Sequence, residues 1–320
     1  MATVAAALAE ARACGVDRLD AQLMLAAIVG VGRSALIAHD DRLLPLAAKE
    51  RWAGWLQRRA GGEPLAYLLG QKEFHGLNLE VSAAVLVPRP ETELLVDWAL
   101  ELLGATPGAG PHAVERRAPA ILDLGTGSGA IALALKHARP TLAVSASDVS
   151  AEALAVARRN ADRLGLAIEL VAASWWQGLA RRRFDLVAAN PPYIAADDPH
   201  LAALRHEPLI ALTPGGDGLD AIRAIVDHAP SHLHPGGWLL VEHGFDQGPA
   251  VRALFEDAGL AEVGTRADLA GHERATAGRR PPAASDSRPG PDVLTAGHND
   301  HRRSRRAPKR RENDASDTEN

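Results

Sequence analysis

At residues 123–130 the sequence reads Asp-Leu-Gly-Thr-Gly-Ser-Gly-Ala. This stretch follows the short apolar run Ala120–Leu124 and leads into residues 130–138, whose alanines and leucines favour a helix. Glycines let the backbone turn sharply and approach a ligand without interference from Cβ atoms. The first turn of a helix also presents free N–H groups. The stretch therefore predicts a strand, a ligand-binding glycine loop and a helix.

Strands and helices continue to alternate on both sides of this loop. Apolar strands are predicted at 142–146, 168–171, 184–189 and 238–241, with amphipathic helices at 91–103 and 151–164 among them. Such alternation over this length is typical of α/β proteins. We therefore expect a mainly parallel, doubly wound sheet.

The two ends of the chain have different patterns. Residues 1–62 are rich in Ala, Leu and Arg at helical spacing, and Gly61-Gly62-Glu63-Pro64 interrupts them. Residues 74–87 alternate roughly between apolar and polar, which favours a hairpin or an extended connector. Beyond Gly278 the sequence has almost no apolar periodicity, so we expect a disordered tail.

Composition excludes several classes of protein. The 320 residues are 47% hydrophobic and 23% charged, and Cys14 is the single cysteine, which excludes a disulfide framework and a cysteine-based zinc site. No apolar run is long enough to span a bilayer, and the N-terminus lacks a signal-peptide layout. Residues 1–278 carry 25 Lys and Arg against 33 Asp and Glu, which disfavours a non-specific nucleic-acid binder. A cytoplasmic protein is expected.

The spacing in the glycine loop indicates its ligand. A dinucleotide-binding dehydrogenase uses Gly-x-Gly-x-x-Gly, whereas this loop has Gly-x-Gly-x-Gly preceded by Asp123. This arrangement suits S-adenosylmethionine: Asp123 is expected to orient its ammonium group, and the loop N–H groups to face its amino-acid part. Asp148 ends the next strand, 19 residues past Gly129, where its carboxylate can accept the ribose hydroxyls.

A second motif, Asn190-Pro191-Pro192-Tyr193, follows the strand predicted at 184–189. The Asn190 side-chain carbonyl and the Pro191 backbone carbonyl can accept both hydrogens of a planar NH₂ group and aim its nitrogen at a methyl donor. Tyr193 is expected to cover the planar group by stacking. Taken alone, these four residues could also form a proline turn capped by Asn190, with no ligand. Their position next to the predicted glycine loop favours the catalytic interpretation.

Together the two loops resemble amino-group methyltransferases that act on adenine, guanine or glutamine. The flanking sequence is similar to the bacterial peptide chain release factor glutamine methyltransferases from about residue 15 to residue 278. The stretches that carry this similarity are Gly62 to Gly70, Glu73-Phe74, Val87 to Glu93, Asn190 to Ile194, Asp198 to Leu201, Pro235 to Trp238, Glu242 to Gly244 and Asp268 to Arg274.

The resemblance implies four regions: a helical substrate-recognition domain at 1–72, a hairpin linker at 73–87, a seven-stranded Rossmann-like methyltransferase domain at 88–278 and a tail at 279–320. It implies methyl transfer from S-adenosylmethionine to the glutamine of the Gly-Gly-Gln loop in class 1 release factors. The expected cofactor residues are Asp123, Gly125, Thr126, Gly127, Ser128, Gly129, Asp148, Trp175 and Asn190. The expected substrate residues are Asn190, Pro191, Pro192 and Tyr193, of which Asn190, Pro191 and Tyr193 are the expected catalytic set.

Two features depart from the family pattern. Many relatives carry an acidic residue where this chain has Ser174, and the region between Leu201 and Glu207 is shorter than in some relatives. The first departure affects a hydrogen bond to adenine, and the second affects the rim of the substrate pocket.

Other interpretations remain as alternatives. A methyltransferase for adenine or guanine in DNA or RNA shares the same four-residue loop, and a non-catalytic protein that holds a translation factor is a third possibility. No metal is expected, because His232 and His234 lie in a predicted loop without a carboxylate to complete a site. Glu91 and Glu93 suit the first turn of a helix, and no general base is assigned. A monomer without a membrane or specific nucleic-acid partner is expected.

Overall fold

The computed structural model describes residues 3–104 and 117–282. The chain begins with five helices, which enclose a small apolar core around Met24, Leu25, Trp52 and Leu56. Asp17 caps the second helix by accepting the Leu19 N–H at 2.7 Å. The five helices are α1 (Val4–Ala13), α2 (Arg18–Val29), α3 (Arg33–Ala38), α4 (Leu46–Ala60) and α5 (Leu65–Leu69).

A β-hairpin follows, formed by β1 (Gln71–Phe74) and β2 (Leu77–Glu80). It starts two residues before the predicted linker boundary, and no strand is found at 81–87. Val81, Val85 and Val87 are nevertheless buried, in a cluster with residues of the helix α8 described below. The alternation in this region therefore reflects packing of extended chain rather than strand pairing.

Seven strands form one sheet within the described residues, in the order β5-β4-β3-β6-β7-β9-β8. Strands β3 to β7 are parallel, and β9 is antiparallel to both of its neighbours. The strands are β3 (Ala120–Leu124), β4 (Ala143–Asp148), β5 (Glu169–Ala172), β6 (Phe184–Ala189), β7 (Leu233–Glu242), β8 (Ala261–Ala267) and β9 (Glu273–Arg279). The predicted doubly wound α/β fold is confirmed.

Helices cover both faces of the sheet because successive strand residues point to opposite sides. Ile121 packs with the helices of one face, and Leu122 packs with those of the other. The first face is covered mainly by α6 (Glu93–Gly104), α7 (Ala130–Ala138) and α8 (Ala151–Leu164), and the second by α9 (Asp220–His232) and α10 (Gly248–Asp257). No described helix is long and apolar enough to cross a membrane.

Two sequence-based expectations need correction. His232 ends α9 and stacks on Trp176 with ring centroids 4.5 Å apart, and His234 lies in β7, so neither residue belongs to a loop. The structured chain also extends past Gly278, since Arg279 ends β9 and Arg280 donates to the Gly237 carbonyl. The rest of the predicted tail, residues 283–320, lies outside the described residues.

The hairpin is tied to the glycine loop through Asn160 of α8. This fully buried side chain accepts from the Glu80 N–H at 2.6 Å and donates to the Glu80 carbonyl at 3.0 Å. Its amide also donates to the Ser128 carbonyl at 2.9 Å. One side chain therefore joins β2 to the turn that precedes α7.

We expect Asn160→Ala to lower the free energy of unfolding by about 2–3 kcal/mol, because its hydrogen bonds to Glu80 and Ser128 are lost and buried groups stay unpaired. Urea denaturation measures this change. Arg159→Ala is the matched control, because Arg159 pairs with Glu80 at the surface and such pairs contribute little. Equal, small losses for both variants would contradict the role given to Asn160.

Candidate active site

A cavity of about 460 Å³ opens at the carboxyl ends of β3, β4 and β6. Strand β3 pairs with β4 on one side and with β6 on the other, so the cavity lies where the strand order reverses. Ligands of open α/β sheets bind at this position. Its walls include Arg89, Thr92, Gly125, Thr126, Gly127, Ser128, Asp148, Trp175, Asn190, Pro192 and Asp220.

The glycine loop forms the floor of this cavity. The N–H groups of Gly125 and Thr126 donate to the Ser147 carbonyl at 2.9 and 2.8 Å, and the Gly127 N–H donates to Asp148 Oδ2 at 2.9 Å. The loop is thus held against the end of β4 by three of the N–H groups that were expected to face a ligand. Gly125 has a φ of +80°, and a Cβ there would lie 3.4 Å from the Trp175 ring.

Asp148 lies where β4 ends, in the wall of the cavity. Its Oδ1 accepts from the Ser150 N–H at 2.9 Å, and its Oδ2 holds Gly127. Two backbone donors therefore fix the carboxylate beside the loop. Trp175, with a φ of +48°, supplies an apolar wall next to it.

Asp123 and Gly129 lie behind the loop and are not among the residues that line the cavity. Asp123 is fully buried, and its Oδ2 accepts from the Thr126 hydroxyl at 2.6 Å and from the Ala132 N–H at 3.1 Å. Its Oδ1 is buried and has no hydrogen-bond partner among the residues that the structure describes. Burial raises the pKa of Asp123 to about 6. The carboxyl group therefore braces the loop and the start of α7.

A second cavity, of about 360 Å³, lies on the other side of Asn190. Asn190 and Arg89 line both cavities, so they form part of the wall between them. The second cavity is lined by Leu86, Arg89, Glu91, Asn190, Pro191, Tyr193, Ile194, Leu204, Ala211, Leu212, Glu242 and Arg274.

The Asn-Pro-Pro-Tyr loop is held by side-chain contacts. Asn190 Nδ2 donates to Thr92 Oγ1 at 3.0 Å, so Oδ1 is the atom left to accept from a ligand. The Tyr193 hydroxyl donates to Glu242 Oε1 at 3.3 Å, and burial raises the pKa of this tyrosine. The structure therefore brings Asn190, Pro191 and Tyr193 together at the second cavity, while Pro192 faces the first.

Sequence reasoning assigned no role to several residues of these walls. Arg89 pairs with the buried Glu207 at 2.5 Å, and Glu207 also accepts from the Val87 N–H at 3.0 Å. Thr92 and Glu242 are buried at the wall between the cavities. Glu242 had a usable signal: like Asp123 and Asp148, it is a carboxylate that ends an apolar strand at the same edge of the sheet.

In the described ranges 3–104 and 117–282, no three His, Cys, Asp or Glu side chains gather in a way that could hold a metal ion. The arrangement combines a glycine-floored cavity with an asparagine and a proline that line a neighbouring cavity. The fold and this site define a Rossmann-like methyltransferase.

Comparison with known proteins agrees with this class. Residues 111–262 match the family model described as methyltransferase small domain, and residues 1–70 match the PrmC N-terminal domain. The release factor glutamine methyltransferase of Xylella fastidiosa strain Temecula1 is 48% identical over 83% of this chain and 94% of its own length. That of Pseudomonas aeruginosa is 49% identical over 82% and 92%. The chain belongs to the release factor glutamine methyltransferase family.

Among solved structures, the catalytic domain of hMettl16 in complex with MAT2A 3′UTR hairpin 1 has a TM-score of 0.51. It is 14% identical and covers 73% of this chain and 83% of that chain. At this identity the likeness shows the fold alone.

We expect the free energy of unfolding of Asp123→Asn to increase, relative to that of the native protein, as pH rises from 5 to 8. Because the folded-state pKa is raised from 3.8 to about 6, the contribution of Asp123 to stability is lost as pH rises through about 6. Between pH 5 and pH 8 the change in the stability difference should reach about 1.4 kcal/mol. Urea denaturation at both pH values measures it, with Asp227→Asn on the surface of α9 as the control for removal of one charge. A difference that does not vary with pH would contradict the buried-carboxyl argument.

Proposed function

We propose that this enzyme transfers a methyl group from S-adenosylmethionine to the side-chain amide nitrogen of the glutamine in the Gly-Gly-Gln loop of class 1 release factors. The observation that carries the proposal is the position of Asn190 in the wall between two cavities. One cavity suits a methyl donor, the other suits an amide, and the two must meet for transfer. Membership of the release factor glutamine methyltransferase family supports the same conclusion.

The residues of the first cavity fit the cofactor. Its volume lies in the range of small-molecule sites, and the glycine floor leaves room for close approach. Asp148 would hold the ribose hydroxyls, and Trp175 would cover the adenine. Thr126 and Ser128 would border the amino-acid part, whereas Asp123 would act through the loop that it braces. When bound, S-adenosylmethionine would supply the methyl group, which would leave its sulfur and bond to the amide nitrogen, and that nitrogen would then lose a proton to water.

The residues of the second cavity fit a planar amide. The Asn190 side-chain oxygen and the Pro191 carbonyl would accept the two amide hydrogens, and the Tyr193 ring would lie against the group. These contacts orient the weakly nucleophilic nitrogen, so their effect is mainly on positioning. Pro191 has no backbone N–H, so this residue offers no donor that would compete with the substrate amide for these acceptors.

The proposed partner is a protein, and the enzyme would act on it in the cytoplasm as a monomer. The acidic balance of residues 1–278, 25 basic against 33 acidic side chains, suits a protein substrate better than a nucleic acid. The helices before the hairpin would contribute to recognition of the release factor.

A methylation assay tests the substrate directly. Labelled S-adenosylmethionine is offered with a release factor, with the same factor carrying Gln→Ala in its Gly-Gly-Gln loop, and with DNA or RNA. Label in the unmodified factor alone supports the proposal. Label in nucleic acid but in neither protein would favour an amino-group methyltransferase for adenine or guanine.

We expect Asn190→Ala to lower kcat by about 100-fold or more, with little change in cofactor affinity, because one of the two acceptors that orient the amide is lost. Steady-state kinetics and calorimetry measure the two quantities. Asn78→Ala removes an exposed amide from β2 and should leave both unchanged. Equal losses of kcat and cofactor affinity would contradict the role assigned to Asn190.

Asp148→Ala should weaken S-adenosylmethionine binding by about 10- to 100-fold, because the ribose acceptor and the contact that holds Gly127 are lost together. Calorimetry measures the dissociation constant. Glu152→Ala, which removes an exposed carboxylate from the first turn of α8, is the matched control. An unchanged constant for Asp148→Ala would exclude a cofactor contact at this position.

A further inference from the structure

Two exposed apolar side chains lie beside the second cavity. Phe245, in the turn after β7, is 61% exposed, and Leu269, in the turn between β8 and β9, is fully exposed. Neither side chain belongs to a hydrophobic core of the described chain. Exposed apolar side chains that are grouped next to a functional site mark an interaction surface.

The turn that carries Phe245 is fixed to the Asn-Pro-Pro-Tyr loop. Gln247 Oε1 accepts from the Gly244 N–H at 2.8 Å, and Gln247 Nε2 donates to the Tyr193 carbonyl at 3.0 Å. One amide side chain therefore closes the turn and joins it to Tyr193. Phe245 lies inside this turn, so its backbone is held in place relative to the second cavity.

The turn that carries Leu269 is organised by the neighbouring Asp268. The Oδ1 atom of Asp268 accepts from the Ala270 and His272 N–H groups at 2.9 and 3.0 Å. Its Oδ2 atom accepts from Arg274 Nε at 3.0 Å. Leu269 is therefore exposed on a turn whose backbone is fixed by several hydrogen bonds, rather than on a loose loop.

Arg274 connects both turns to the cavity. It lines the second cavity, and its guanidinium carbon lies 5.9 Å from the centre of the Phe245 ring. The His272 ring, from the turn that carries Leu269, lies 5.7 Å from the same phenyl ring. Phe245 and Leu269, the apolar pair, are thus grouped around one residue of the cavity wall.

The backbone of a glutamine substrate must come close to this edge. Three carbon atoms separate the amide nitrogen of a glutamine from its Cα. When the amide lies between Asn190 and Tyr193, the chain on either side of the glutamine therefore lies at the edge of the second cavity. The two glycines that precede the glutamine have no Cβ, so their backbone can approach the flat face of an aromatic ring.

We propose that the apolar pair is a docking surface for the release factor loop, with the glycine backbone against the Phe245 ring and Leu269 beside it. This inference rests on the proposed function and deepens it, because it identifies the surface that holds the chain around the glutamine. Neither side chain lines either cavity, so the pair acts on substrate binding rather than on methyl transfer.

Phe245→Ala and Phe245→Tyr form the matched pair for the test. We expect Phe245→Ala to raise KM for the release factor by about 10-fold with kcat within about threefold of the native value, because the apolar contact is lost. Phe245→Tyr keeps the ring and should keep KM within about threefold. Leu269→Ala should raise KM by about threefold, since one smaller side chain is removed. Steady-state kinetics with the full-length release factor measures these values.

The outcome of this experiment separates binding from transfer. An unchanged KM in Phe245→Ala would overturn the inference, and so would a loss of kcat at native KM, which would place the ring in the transfer step. Failure of the native enzyme to methylate the release factor would overturn the proposed function and this inference with it. Methylation by the native enzyme with an unaffected KM in Phe245→Ala would overturn the inference alone.

A second measurement changes the substrate instead of the enzyme. In a release factor with Ala in place of the glycine directly before the glutamine, the added Cβ holds the backbone away from the ring. We expect this change to raise KM by about 10-fold with the native enzyme and by less than about threefold with Phe245→Ala, since the two changes act on one contact. The comparison removes any effect that the alanine has on the factor alone. Losses that simply multiply would overturn the inference.

Stability and cofactor binding exclude a structural role. Because both side chains are exposed, Phe245→Ala and Leu269→Ala should have a Tm within about 2 °C of the native value. Calorimetry should give the same dissociation constant for S-adenosylmethionine in both variants and in the native enzyme. A lower Tm together with weaker cofactor binding would assign these side chains a structural role and overturn the inference.

Discussion

Parallel pairing of β3 with both β4 and β6 is the constraint on which the site depends. In the register of this sheet, Asp123 lies opposite Ala146 on one side and Ala188 on the other. The three strands therefore end at one edge, where the glycine loop, Asp148 and the Asn-Pro-Pro-Tyr loop come together. Residues separated by more than 60 positions in the sequence form one pair of adjoining cavities for this reason. A shift of register would turn the strand side chains to the opposite face.

Carboxyl groups at strand ends serve different purposes at this edge. Asp148 is partly accessible and lines the first cavity, and the buried Glu242 lines the second cavity and holds Tyr193. Asp123 is buried behind the glycine loop, which it braces. Burial raises the pKa of Asp123 to about 6 and that of Glu242 to about 7, since the charged form loses its hydration. Each group lowers the free energy of unfolding when it is ionised. Each also makes a hydrogen bond that holds a loop of the site: Asp123 accepts from Thr126, and Glu242 accepts from Tyr193.

Much of the sheet domain was predictable from the sequence. The bounds of β3, β6, α7 and α8 agree with the predicted segments, because each has a clear apolar period and a glycine, serine or proline near its end. The hairpin β8–β9 was not predicted from its residues. Its strand Ala261–Ala267 is only partly buried and its alternation is weak, so it depends on pairing with β9 rather than on its own pattern. The segment after β2 is the predicted extended connector, and its buried valines pack against α8 without a strand partner.

The sequence by itself determined the two loops, the strands that carry them and the kind of ligand that each suits, because these are properties of local residue type and spacing. Whether a residue faces a ligand or stands behind one depends on distant chain segments. Asp123 is buried beneath the loop, while Thr92 contacts Asn190 across 98 positions and Glu242 contacts Tyr193 across 49. Only the tertiary structure decides such contacts, since burial and hydrogen-bond direction arise when separate elements pack together.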